Sequence, residues 1–207
     1  MHCAYNTMMR VYAMLAILLL FAFIAVVYVL NRSNIAPAAP GIMRSPQHMT
    51  LSITSPVFEN NGRIPAKFTC DAGSPPAGGN PPLEFSGVPA GAKSLALIMD
   101  DPDVPKAVRP DGVFDHWTLF NIPPTTKGIQ ENGSAGIAGT NGAGANAYTG
   151  PCPPPQYEPS EHRYFFRLYA LDAKLSLPAG ASKSQVQKAM GGHIIEQAEL
   201  IGRYKRI

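Results

Sequence analysis

Two segments of the chain concentrate the side chains that exchange or share protons near neutral pH. Residues 94–121, SLALIMDDPDVPKAVRPDGVFDHWTLFN, carry Asp101, Asp103 and His116, and residues 150–172, GPCPPPQYEPSEHRYFFRLYALD, carry His162 and Tyr164 behind a proline cluster. Two carboxylates, two imidazoles and a phenol in one pocket would hold a polar or anionic group, because imidazolium and hydroxyl groups donate hydrogen bonds to phosphate-type oxygens. The same set admits acid–base chemistry, with His116 or His162 as a general base oriented by Asp101. No Gly-x-Ser-x-Gly elbow and no nucleophile with an activating neighbour accompanies them, so binding is the leading expectation and a hydrolase the alternative. A divalent metal held by Asp101, Asp103, His116 and His162 is a variant of that alternative, but the spacing is not clustered, and no metal or other cofactor is expected.

The elements that must position these residues read mostly as strands. Proline and glycine are frequent and helical periodicity is rare. Leu51–Thr54 and Lys67–Thr69 are short candidate strands, and Ser94–Met99 is an apolar run suited to the centre of a sheet. Phe114–Ile122 alternates, which by period two sets His116, Thr118 and Phe120 on one face and Asp115, Trp117 and Leu119 on the other. Glu161–Asp172 alternates more strongly and projects His162 and Tyr164 the same way, with Arg163 opposite as a structural ion-pair partner. Trp117 and Tyr169 are core candidates, and His193, after two glycines, reads as a loop residue. Lys127–Thr149 is rich in Gly, Ala and Asn and reads as a long mobile loop. Ser182 with Gln185 three residues later forms a capping-box signature for a short helix ending near Gly191-Gly192. The tail HIIEQAELIGRYKRI fits helix or strand by pattern alone.

Ahead of these elements lies Val11–Leu30, an uncharged run of about 20 residues that as a helix would span about 30 Å, the thickness of a bilayer core. It reads as a transmembrane anchor rather than a cleaved signal peptide, whose apolar stretch is shorter. Residues 1–10 form an N-terminal tail, 31–49 a Pro/Ala-rich tether and 50–207 the folded domain. This arrangement implies a single-pass membrane protein with its domain outside the cytoplasm. Of the 17 basic residues, Arg10, Arg32 and Arg44 precede the domain, leaving 14 against 14 acidic ones. A neutral domain without a basic run lacks the electrostatic footprint of a nucleic-acid binder. Cys70 and Cys152 lie within the domain, and they either form one disulfide or remain two buried thiols.

The order DDPDVP, DHWTLFNIP, GPCPPP, HRYFFRLYALD resembles the phosphatidylethanolamine-binding protein family, also called the Raf kinase inhibitor protein family. KFTCDAG, PPLEFSGVPAGAKSLALIMDDPD and GGHIIEQAELIGRYKR are similar to its bacterial and archaeal branch, and the resemblance spans about Leu51–Arg206. It implies a mostly β domain, a central antiparallel sheet packed on a smaller one with short helices toward the C-terminus, and it implies that the tail closes as a strand. It further implies a small cavity for phosphate-like anions or phospholipid head groups, with Asp101, His116, Gly150, Pro151, His162 and Tyr164 as ligand-binding positions and a kinase or protease as a protein partner. Asp103 is a secondary candidate, with capping of its own turn as its competing role. Beside a phosphate, Asp101 would either share a proton with a histidine or meet the amine of a zwitterion. The resemblance also points to a cis peptide near the first motif, at Val104-Pro105. Two loops depart from the family pattern, CPPPQYEPSE and the stretch after DPDVP.

Overall fold

The computed structural model describes residues 20, 22–30, 50–73 and 79–206. The chain divides into two compact units, Met1–Gln47 and His48–Ile207. In the first, residues 22–30 are helical and their apolar side chains, Phe23 and Ile24 among them, are exposed. Among the described residues no helix is long and apolar enough to cross a membrane. The expected span Val11–Leu30 lies partly outside those residues, and the tail and the tether lie wholly outside them.

The second unit is built of strands β1 (Ser52–Thr54), β2 (Gly62–Arg63), β3 (Leu83–Ser86), β4 (Ser94–Asp101), β5 (Phe114–Ile122), β6 (Gly128–Ile129), β7 (Ile137–Ala138), β8 (Glu161–Leu171) and β9 (Ile194–Lys205). One α-helix, α1 (Lys183–Met190), lies between β8 and β9, and a 3-10 turn covers Ala66–Phe68 where a strand was expected. A three-stranded sheet, β1-β3-β6, packs on a six-stranded sheet of order β2-β9-β8-β4-β5-β7. All pairs are antiparallel except β2 with β9. The tail therefore closes as a strand, paired along β8 from Glu161↔Lys205 to Leu171↔Ile194.

The large sheet is covered on both faces, and its sequence shows it. Every residue of β4 is buried, the signature of a central strand with apolar material above and below. One face, with Leu97, Met99, Trp117, Leu119, Tyr164, Phe166 and Leu200, packs on Ile53, Leu83, Phe85 and Ile129 of the small sheet. The other face, with Ala96, Ile98, Phe120 and Tyr169, packs on Val186 and Met190 of α1. That helix begins as its sequence dictates: the Ser182 hydroxyl accepts from the Gln185 amide while the Gln185 side chain accepts from the Ser182 amide, satisfying two N-terminal donors.

The alternation expected for β5 fails at two points, one between Leu119 and Ile122 and one at the site end of the strand. Met99 pairs with Trp117 but Asp100 pairs with Asp115, so His116 is an extra residue in a β-bulge. A bulge directs two consecutive side chains to the same side. His116 therefore joins Trp117 and Leu119 on the face toward the small sheet, and Asp115 joins Thr118 and Phe120 on the helix side.

The segment expected to be a mobile loop is instead pinned. Asn141, 5% exposed, donates through Nδ2 to the Ala147 carbonyl and Thr149 Oγ1, and its Oδ1 accepts from the amides of Ala143 and Ala145. A buried amide making four hydrogen bonds replaces the apolar burial that the glycine-rich composition lacks.

Candidate functional site

At the end of the large sheet where β4, β5 and β8 finish side by side, a cavity of about 290 Å³ is lined by Asp101, His116 and His162, by Thr149 and Gly150, and by Val104, Val108, Phe114, Cys152, Pro153 and Pro154. Three strands supply its polar floor. Asp101 closes β4, His162 opens β8 beside it, and the bulge in β5 swings His116 onto the same face.

Each polar group has a defined anchor. Asp101, 3% exposed, accepts from the Asp103 amide through Oδ1 at 2.8 Å and faces His162 Nδ1 through Oδ2 at 2.6 Å. His162, 1% exposed, thus donates Nδ1–H to a carboxylate, while its Nε2 has no partner among the described residues. His116 donates Nδ1–H to the Thr149 carbonyl at 2.7 Å, and the Thr149 amide returns a bond to the His116 carbonyl at 2.9 Å. With Nδ1 protonated, Nε2 is the free acceptor of the neutral ring. Burial pushes the His116 pKa below its usual value, against raising contributions from the Thr149 carbonyl and nearby carboxylates, led by Asp101.

The wall opposite β8 is stitched to the segment after the 3-10 turn. Cys70 and Cys152 form a disulfide with Cα atoms 5.3 Å apart, the Cys70 amide donates to the Pro151 carbonyl, and the Tyr148 hydroxyl donates to the Phe68 carbonyl. Gly150 sits in this seam because a Cβ there would lie 2.7 Å from the Phe68 carbonyl oxygen and 2.9 Å from the Thr69 Cα.

The sequence-predicted residues divide accordingly. Asp101, His116, His162 and Gly150 line the cavity. Pro151 is not among the lining residues, and its carbonyl is taken by Cys70. Tyr164 shares a face with His162 but lies beneath the cavity: it is fully buried, packs edge-on against His116 with ring centroids 5.2 Å apart, and its hydroxyl has no partner among the described residues. Burial pushes its pKa well above the usual tyrosine value, so it stays a neutral platform for the two imidazoles. Asp103 does not cap its own turn. Arg163 grips its carboxylate with Nε at 2.8 Å and a second guanidinium nitrogen at 2.7 Å, and this grip holds its pKa below the usual carboxylate range. The Asp–Pro–Asp turn is capped by Asp101 instead, through its bond from the Asp103 amide. Among the described residues the cis peptide is Glu158-Pro159, not Val104-Pro105. Among the described residues no group of three or more His, Cys, Asp or Glu is placed to hold a metal.

Sequence reasoning missed Val104, Val108 and Phe114 in the apolar half of the lining, which Pro153 and Pro154 of the proline cluster complete. Their only signal was the unusual composition of the two loops, and side-chain type alone does not say that two remote loops face one another.

The fold and site define a two-sheet β domain with a small cavity whose floor is imidazole and carboxylate. The chain matches the phosphatidylethanolamine-binding protein family over residues 54–205 and belongs to that family. A UPF0098 protein of Methanothermobacter thermautotrophicus is 45% identical over 163 residues, which cover 75% of this chain and 99% of that relative. A UPF0098 protein of Chlamydia pneumoniae is 43% identical over 157 residues, with coverage of 75% and 99%. Among solved structures, a putative phosphatidylethanolamine-binding protein homolog of Chlamydia trachomatis has 42% identity and a TM-score of 0.71, covering 77% of this chain and 99% of that one. E. coli YbcL, described as a new member of the mammalian family, has 27% identity and a TM-score of 0.64, with coverage of 76% and 99%. Relatives covered almost completely by this region consist of the domain alone.

Proposed function

We propose that the domain binds a phosphate-type anion, free or as a phospholipid head group, in the cavity floored by Asp101, His116 and His162. The observation that carries this reading is His162 Nε2, a buried polar atom at the cavity without a hydrogen-bond partner. Leaving such an atom unpaired costs about 1–3 kcal/mol, a penalty that a ligand oxygen removes when the ring is protonated. Asp101 has both oxygens engaged within the fold, so its part is to share a proton with His162 rather than to meet a ligand amine. His116 supplies the second ring nitrogen. Neither imidazole is hydrogen-bonded to a hydroxyl or thiol, and Cys152 is tied in its disulfide, so the geometry favours holding a ligand over hydrolysing one.

The test uses residues 48–207, which form a compact unit and correspond to relatives built of this domain alone. At about a hundredfold excess over Kd, phosphate or phosphorylethanolamine should stabilise the domain by about 2.7 kcal/mol, read as a rise of several degrees in Tm. In His162→Ala, with its fold checked by circular dichroism, the rise should disappear. An unchanged response in that variant would refute the site.

The proposal extends to attachment. The apolar run before the domain, with exposed apolar side chains over residues 22–30, would tether the domain to a bilayer, and the disulfide is suited to an oxidising compartment outside the cytoplasm. Protease added to intact cells should then digest the domain, whereas digestion only after lysis would contradict the orientation. Modulation of a kinase or protease would need a partner surface that pocket similarity does not carry, so the proposal stops at the small ligand.

A further inference from the structure

The segment that joins the cavity wall to β8 is dense in proline. Residues 151–159 hold five prolines, so more than half of these backbone positions have a fixed φ and no N–H to donate. Such a run presents carbonyl oxygens and flat apolar rings, and it has little conformational freedom left to lose on docking. Both of its ends are anchored in the fold. Cys152 is tied to Cys70, whose amide donates to the Pro151 carbonyl, and Glu161 opens β8 paired with Lys205.

The prolines divide between two surfaces. Pro153 is buried and lines the cavity with Pro154, whereas Pro155 and Pro159 are exposed, as are Gln156, Tyr157 and Glu158 between them. Within Pro154-Pro155-Gln156-Tyr157 the Tyr157 amide bonds to the Pro154 carbonyl at 3.3 Å, which closes a turn. Among the described residues of the second unit, Tyr157 is the single exposed Phe, Tyr or Trp ring, at 38%. One exposed tyrosine is ordinary on a protein surface. Here it stands two residues from an exposed proline ring on a stiff loop, so both rings have apolar area to bury and the phenol keeps a hydroxyl for a partner's polar atom. Pro-Pro-x-Tyr is also the spacing that WW domains read, with a groove of aromatic rings for proline and an adjoining pocket for tyrosine.

We propose that this loop is a docking segment for a protein module whose aromatic-lined groove reads Pro-Pro-x-Tyr. Pro155 enters between the aromatic rings, an N–H or O–H of the groove donates to a proline carbonyl, and the Tyr157 ring fills the adjoining pocket. Glu158 follows the tyrosine, with one carboxylate oxygen accepting from the Ser160 amide at 2.9 Å, and its charge favours a basic side chain at that end of the groove. None of Pro155, Gln156, Tyr157 and Glu158 is among the residues lining the cavity. The docking segment is therefore separate from the floor of Asp101, His116 and His162, and it stands or falls independently of the anion reading.

Isothermal titration of residues 48–207, disulfide intact, with a purified WW domain of the class that reads Pro-Pro-x-Tyr tests the loop. The domain should bind this probe. Tyr157→Ala should weaken binding about tenfold or more, the loss expected for truncating a central aromatic anchor, and Pro155→Ala about fivefold. Both positions are exposed, so each variant should keep its Tm to within about 3 °C, which shows that a loss of binding is not a loss of fold. A linear peptide of residues 151–160 carrying Cys152→Ser serves as the control for access. If the peptide binds and the folded domain does not, the fold hides the motif and the proposal is overturned. It is equally overturned if neither binds, or if Tyr157→Ala binds the probe as well as the unaltered domain does. The phosphate-induced rise in Tm should persist in Tyr157→Ala, and its disappearance there would make Tyr157 part of the cavity and remove the separate segment.

Discussion

Asp100 and Asp101 are neighbours in sequence, both buried, and they serve opposite faces of one sheet. Asp100 faces α1, where Arg167 reaches it at 2.6 Å and Lys183 at 3.4 Å, while Lys183 also pairs with Asp115 and Arg167 with Glu199. Every carboxylate in that network meets a lysine or arginine, and each of those cations is shared between two carboxylates. Asp101 faces the cavity, and its partner is an imidazole whose second nitrogen is left over. The first arrangement closes on itself, linking β4, β5, β8, β9 and α1. The second holds a proton-sharing pair at an opening. A carboxylate satisfied by permanent cations is structural, whereas one paired with an imidazole at a cavity is the feature on which the proposed ligand binding rests.

The comparison can be broken most forcefully at the disulfide, because the cavity wall depends on it and the ion-pair network does not. Replacing Cys70 and Cys152 by Ala, which removes a cross-link of sequence separation 82, should cost about 4 kcal/mol in urea unfolding and weaken anion-dependent stabilisation. Asp101→Ala comes next. It strands the buried His162 Nδ1, so a loss of about 3 kcal/mol is expected together with loss of the phosphate-induced rise in Tm. Asp100→Asn should cost about 2 kcal/mol, less than Asp101→Ala because Arg167 keeps Glu199 and Lys183 keeps Asp115, and it should leave that rise intact. Equal effects of the two aspartate variants on phosphate binding would erase the distinction between the faces.

The smallest effect concerns pH. Because the folded-state pKa of His116 lies below its ordinary value of 6.5, the unfolded chain binds more proton than the folded one between the two values. Its contribution to stability is complete above about 6.5 and declines as pH falls toward the lowered value, so unfolding free energy measured between pH 8 and 5.5 should drop on acidification. His116→Gln should flatten that slope. Anion binding carries the opposite sign: an anion favours the protonated ring, so phosphate affinity should rise as pH falls through the same range.

Much of this molecule was legible in its residues. Phe114–Ile122 and Glu161–Leu171 are strands with the expected bounds to within a residue, Ser182 and Gln185 cap α1 as their spacing requires, and His162 and Tyr164 do share a face. These properties follow from local chemistry, since period-two burial and capping each involve residues a few positions apart. The mobile-loop reading of 127–149 failed because β6 and β7 pair into the two sheets and a buried amide, Asn141, supplies further order that composition does not advertise. The assignment of Asp103 to its own turn failed because its stronger partner, Arg163, is 60 residues away.

Taken alone, the order of residue types determined a mostly β domain, the identity of β4 as a central strand, and which side chains could share protons, while the two-sheet arrangement was implied only by the family resemblance. Tertiary structure decided the rest. A β-bulge, created by strand pairing and invisible to alternation, turns His116 from the helix face to the cavity. Long-range seams between residues 68–70 and 148–152 set the wall, and strand packing leaves Tyr164 buried outside the lining. Strand formation is written in near-neighbour periodicity, whereas the shape of a cavity is set by contacts between segments tens of residues apart, and these form only once the sheets have packed.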